Sequence, residues 1–90
     1  MTMSQFIQTA GTTFFGVEFV KVDGSVRRMV CQFRNFHKGK VCVTEPGQGY
    51  KSFYPGRILR IRIRGNTVEC PSAKRFLNHR FRNHYKPLST

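Results

Sequence analysis

Ninety residues, 39% hydrophobic and 13% aromatic, suffice for one small domain with its own core, and they exclude a two-domain reading and a low-complexity tail. Sixteen Lys and Arg against four Asp and Glu leave a formal net charge of +12, so an anionic partner is the first expectation. No apolar run approaches the ~20 residues that span a bilayer, and no basic-then-apolar leader opens the chain; both lead to the expectation of a soluble intracellular protein without a membrane partner.

Through residue 13 the chain is uncharged, with Phe6 and Ile7 as its one large apolar pair, and reads as a loose lead-in or an edge segment. FFGVEFVKV, from Phe14 to Val22, then places Phe15, Val17 and Phe19 on one parity, as a strand with one buried face requires. Val20 and Val22 add a bulge or burial on both faces as alternatives. Asp23-Gly24 supplies the positive φ angles of a tight hairpin turn. Beyond it, Met29, Cys31 and Phe33 alternate with Arg28, Gln32 and Arg34 in a returning antiparallel strand from Ser25 to Arg34.

RNFHKGK, Arg34 to Lys40, reads as a polar loop before a short strand carrying Val41 and Val43, which Glu45-Pro46-Gly47 ends. An aromatic stretch from Tyr50 to Tyr54 stops at Pro55-Gly56. Ile58 to Arg64 has the sharpest period-two pattern, with Leu59, Ile61 and Ile63 facing one way and Arg60, Arg62 and Arg64 the other. Gly65-Asn66 is expected as a two-residue turn into a last strand, Thr67 to Cys70. After Pro71, Ser72 suits an N-cap for a helix to about Lys86, with Ala73, Leu77, Phe81 and Tyr85 in one row and Arg75, His79, Arg82 and Lys86 opposite. Arg80 and His84 interrupt its apolar arc.

The expected fold is mainly β: a small SH3/Sm-like antiparallel barrel of about five strands over residues 14–70, preceded by the lead-in 1–13 and followed by a basic C-terminal helix and tail, 71–90. An immunoglobulin-type sandwich needs more strands than this chain holds.

VEFVKVDGSVRRMVC (Val17 to Cys31) and GYKSFYPGRILRIRIRGNTVE (Gly49 to Glu69) resemble the small Sm-like, SH3-type barrel family related to WYL domains of bacteria and their phages. The matching positions are Lys21, Asp23, Gly24, Arg27, Met29, Tyr50, Phe53, Ile58, Leu59, Ile61 and Gly65; the lead-in and the C-terminal segment lie outside the resemblance. It implies a barrel fold, a basic nucleic-acid-binding surface, and a phage-encoded accessory or regulatory factor acting in the bacterial cytoplasm. The chain has no Trp, so the family's Trp-Tyr-Leu triplet is not reproduced.

Three guanidinium groups along one strand face suit repeating phosphates, which makes Arg60, Arg62 and Arg64 the leading nucleic-acid contacts; the alternative is a solvated face that deters edge-to-edge pairing. Arg28 and Arg34 supply a second cationic face, and Lys38, Lys51, Arg57, Arg75, Arg82 and Lys86 extend the footprint. Phe36, Tyr54 and Tyr50 stand beside basic residues and are candidate base-stacking platforms, worth ~1–3 kcal/mol per base, or core plugs under loops.

Catalysis is not expected. Glu18, Asp23, Glu45 and Glu69 are the only carboxylates, too few for a two-metal nuclease, and no spacing gathers His37, His79 and His84 around a cation for acid-base cleavage. Cys31, Cys42 and Cys70 are odd in number and lack CxxC spacing, so neither a disulfide framework, a metal site nor a cofactor is expected. The expected partner is DNA or RNA. The alternative is an acidic host protein, defensive or regulatory, bound and inhibited through the same surface, and unpaired edge strands would allow a homo-oligomer.

Overall fold

The alternation of Phe15, Val17 and Phe19 builds a central strand of a six-stranded antiparallel sheet in the computed structural model, which describes residues 1–78. The strands are β1 (Phe14–Val20), β2 (Val26–His37), β3 (Lys40–Glu45), β4 (Gly49–Phe53), β5 (Ile58–Ile63) and β6 (Asn66–Glu69), in the order β4-β3-β2-β1-β5-β6. Every neighbouring pair except β1–β5 is consecutive in sequence, so most of the sheet follows from local turns.

The first turn forms where Asp23-Gly24 places it. The Lys21 amide donates to the Ser25 carbonyl at 2.8 Å, and Asp23 Oδ1 accepts from the Ser25 amide (2.9 Å) and hydroxyl (2.6 Å). The Ser25 hydroxyl bond, backed by its amide, holds the Asp23 carboxyl below its ordinary range. Gly24 has φ +86° and lies against Asn78, whose amide donates to the Gly24 carbonyl at 2.9 Å.

Two turns fall elsewhere than expected. β2 continues through Phe36 to His37, because Lys38 and Gly39, with φ of 50° and 78°, make a tight reversal and leave no loop. Phe36 is accordingly a strand residue, half-buried, its ring 5.0 Å from that of Phe33. Ile63 pairs with Asn66, so the second hairpin turns on Arg64-Gly65 (φ 51° and 83°) rather than on Gly65-Asn66.

The core lies on one face of the curled sheet, where Val17, Cys31, Val43, Ile58, Ile61 and Ile63 are among the buried residues. Curling brings β4 over the middle of the sheet, and Phe53 stacks on Phe19 with centroids 4.6 Å apart and planes 17° off parallel. Strands β4 and β6 remain edges, so the described residues form one open sheet and not a hydrogen-bonded closed barrel.

Leu59 does not face the same way as Ile61 and Ile63. Glu18 pairs with Arg60 but Phe19 pairs with Ile58, which leaves Leu59 as the extra residue of a bulge. It joins Val20, Ala73 and Leu77 in a second small cluster. Both alternatives raised by Val20 and Val22 are met in part: β1 is buried on both faces through Val20, its pairing with β5 shifts register after Glu18, and Val22 itself is exposed.

The segment before β1 is ordered rather than loose. Thr2 and Gln5 form a reciprocal capping box at the start of α1 (Met3–Gln8), and Ile7 and Ala10 are fully buried against the main core. At the other end Pro71–Phe76 is a 3-10 helix with Pro71 in its first turn and Cys70, not Ser72, at its cap. Leu77 is already extended (ψ 136°), because seating Ala73 and Leu77 on Leu59 and bonding Asn78 to Gly24 draws the chain off the helical path. The expected helix is therefore not formed over 71–78; its continuation through Lys86 lies outside the described residues.

Candidate nucleic-acid interface

On the sheet face opposite the main core, register lines up Arg28, Glu18, Arg60 and Glu69 across β2, β1, β5 and β6. Arg28 Nε lies 3.1 Å from Glu18, Arg60 Nη1 3.9 Å from Glu18, and Arg60 Nη2 3.3 Å from Glu69. The Arg60 side chain is only 13% exposed. The expected stripe of three equivalent arginines is thus corrected: Arg60 lies between two carboxylates, Arg62 is exposed, and Arg64 sits in a turn and donates from Nη2 to the Thr13 hydroxyl at 3.0 Å. The reason is the β1–β5 pairing, which places the one buried carboxylate beside Arg60. Gly16 lies between Val30 and Arg62 in the next row and lines an open depression of about 670 Å³ there.

A second concavity lies at the seam where the curled β4 edge meets the β1–β2 turn, with a volume of about 630 Å³. Its apolar floor includes the Phe19–Phe53 stack, and its walls carry Lys21, Arg27, Lys40, Lys51 and Arg57. Lys40 places its ammonium 5.3 Å from the centroid of the Tyr54 ring, which is 44% exposed. Arg57 Nη1 donates to the Lys21 carbonyl at 3.2 Å while its guanidinium lies 4.3 Å from the Phe76 ring, tying the 3-10 turn Pro55–Arg57 to the first hairpin. Arg27 is paired with Glu45 at 2.6 Å. Among the described residues, Lys40 and Lys51 have no carboxylate partner.

The other expected contacts are scattered. Arg34, at a bulge in β2, donates from Nε to the Thr44 hydroxyl at 2.9 Å and shares a shallow pocket with Tyr50 and Lys51. Tyr50 is 78% exposed, and Lys38 is exposed in its turn. Phe36 is half-buried, packed against the edge of the core and beside Phe33. Arg75 lies 4.7 Å from the Phe76 ring. Arg82 and Lys86 lie outside the described residues.

Lys21, Arg27 and Lys40 were not legible as site residues, because their common groove depends on the fold of β4 back toward β1. Lys21 and Arg27 stand among the positions of the family resemblance, but with no binding role attached. All four carboxylates of the chain are engaged locally: Glu18, Glu45 and Glu69 with arginines and Asp23 with Ser25. The remaining field is positive.

Among the described residues no cluster of three His, Cys, Asp or Glu is placed to hold a metal, and no helix is long and apolar enough to cross a membrane. Comparison with protein-family models, curated proteins and solved structures finds no match.

Proposed function

We propose that this protein is a small basic nucleic-acid-binding module that contacts phosphates through its exposed cations. The observation that carries this reading is the charge arrangement: each acidic side chain is engaged by a partner of its own, while Lys38, Lys40, Lys51 and Arg62 stand without a carboxylate partner among the described residues. Such a surface attracts a polyanion at long range and releases condensed counterions on binding. The order of hairpins, a 3-10 turn and β5 returning beside β1 supports a sheet of the SH3/Sm-like type. The resemblance to the WYL-related family supports a bacterial or phage setting, in which the module acts in the cytoplasm as an accessory or regulatory factor.

Fluorescence anisotropy of nuclease-treated protein against single- and double-stranded DNA and RNA, at two salt concentrations, tests the reading. Submicromolar binding to at least one of them that weakens steeply with salt is the expected result. Weak, undiscriminating attraction to all four would instead direct the search to an acidic protein partner.

A further inference from the structure

We infer that the seam groove between the β1–β2 turn and the β4 edge is a subsite for one unpaired nucleotide, holding its phosphate on lysine ammonium groups and its base against Tyr54. This rests on the nucleic-acid reading above and narrows it from any polyanion to a strand that presents bases.

The groove combines two chemistries that phosphate tracking alone does not require. Lys21, Lys40 and Lys51 all line one concavity, and a single phosphate satisfies several ammonium donors. Beneath them the Phe19–Phe53 stack and Met29 form a largely buried apolar floor, and Tyr54, 44% exposed, is the ring that offers a face to a base. Duplex DNA, whose bases are stacked and paired, cannot place one there without flipping it out.

The walls also set an orientation. Asp23, the groove's one lining carboxylate, sits at the hairpin end, so a phosphate is favoured near Lys40 and Lys51 on the β3–β4 side. Tyr54 follows β4 directly, on that same side, with the Lys40 ammonium already over its ring. Arg57 has a different part: its bonds to the Lys21 carbonyl and the Phe76 ring brace the wall, making it a positioning residue.

The test compares short fluorescein-labelled single-stranded deoxy- and ribo-oligonucleotides with the matching duplexes, for the intact protein, Lys40→Gln/Lys51→Gln, Tyr54→Leu and, as a control on the far face, Arg62→Gln. Tyr54→Leu is expected to lose roughly tenfold or more in single-strand affinity while duplex affinity changes less than about twofold; Lys40→Gln/Lys51→Gln, which also removes two phosphate contacts, should weaken duplex binding too, but single-strand binding by a clearly larger factor. Arg62→Gln should weaken both by a similar, smaller factor. Comparison of the ribo and deoxy arms identifies the sugar preferred. Equal losses on single strand and duplex, or unchanged single-strand affinity, would overturn the subsite and leave the general nucleic-acid reading standing. Absence of salt-sensitive binding by the intact protein would overturn both.

Titration of the unsubstituted protein with thymidylyl or uridylyl dinucleotide, followed by amide NMR shifts, gives a readout independent of how the variants fold. Shifts centred on Lys21, Lys51 and Tyr54 are expected; shifts centred on Arg62 and Thr67 would overturn the assignment.

Discussion

Glu18 and Arg60 face one another across β1 and β5, 3.9 Å apart, with side chains 9% and 13% exposed, and Arg28 closes on the same carboxylate from β2. Arg60 Nε and Nη1 are buried without a hydrogen bond, so the guanidinium depends on the charges of Glu18 and Glu69 for its compensation.

Removing one member of this row should therefore cost far more than removing both. Glu18→Ala leaves a covered guanidinium short of a counter-charge and is expected to destabilise the fold by about 3 kcal/mol in urea denaturation. Glu18→Met with Arg60→Met should return stability to near that of the unsubstituted protein, since two apolar side chains of similar length need no partner. A double variant as unstable as the single one would show that the row acts through shape rather than charge.

The same pairing separates Arg60 from Arg62 in binding. Arg62→Ala should lower the salt slope on duplex by at most ~0.9 for its one phosphate, whereas Arg60→Ala should leave the slope unchanged at salt concentrations where it stays folded. Equal slope changes would mean that Glu18 and Glu69 release Arg60 to the ligand.

Gly24→Ala tests the docking of the C-terminal segment. The backbone there has φ +86°, and an added Cβ would meet the Asn78 amide nitrogen and Cβ at 2.6 Å. Gly47 has a comparable φ of +76° with nothing nearby. Gly47→Ala is expected to cost about 1 kcal/mol from backbone strain alone, and Gly24→Ala about twice that or more because Asn78 must also move. Equal midpoints in denaturation would show that residues 77 and 78 give way freely.

Ile7→Ala measures the N-terminal helix as part of the core. Ile7 has no exposed surface and belongs to the main cluster, so the change should cost about 3 kcal/mol and lower the melting temperature accordingly. An unchanged melting curve would return α1 to the status of a loose lead-in.

Burial, with a smaller contribution from the Glu45 charge, pushes the Cys31 thiol from 9.0 up to about 12. The unfolded thiol ionises first as pH rises, so the stability Cys31 contributes is whole below pH 9.0 and is lost progressively toward about 12. The melting temperature should fall across that window, and less steeply in Cys31→Ala. Cys42 and Cys70, which are partly exposed, should react with a thiol reagent at neutral pH well before Cys31 does.

What was readable in the sequence was whatever depends on near neighbours. The parity of Phe15, Val17 and Phe19, the parity of Met29 and Cys31, and the Asp23-Gly24 turn follow from the two-residue period of a strand and from the φ angles glycine tolerates, and each appears in the structure as read. The charge excess was likewise plain from counting. The tertiary structure alone decided which arginines are free and where a groove lies. Arg60 and Arg62 have the same parity, and only the distant β1 pairing places Glu18 beside Arg60. The bulge that turns Leu59 away belongs to that pairing too. Lys40 and Lys51 lie on the neighbouring strands of one hairpin, but Lys21 is far from both in sequence and joins them because the sheet curls until Phe53 stacks on Phe19. Periodicity describes which way a side chain leaves its own strand; what it meets there depends on contacts that close only when the sheet folds over its core.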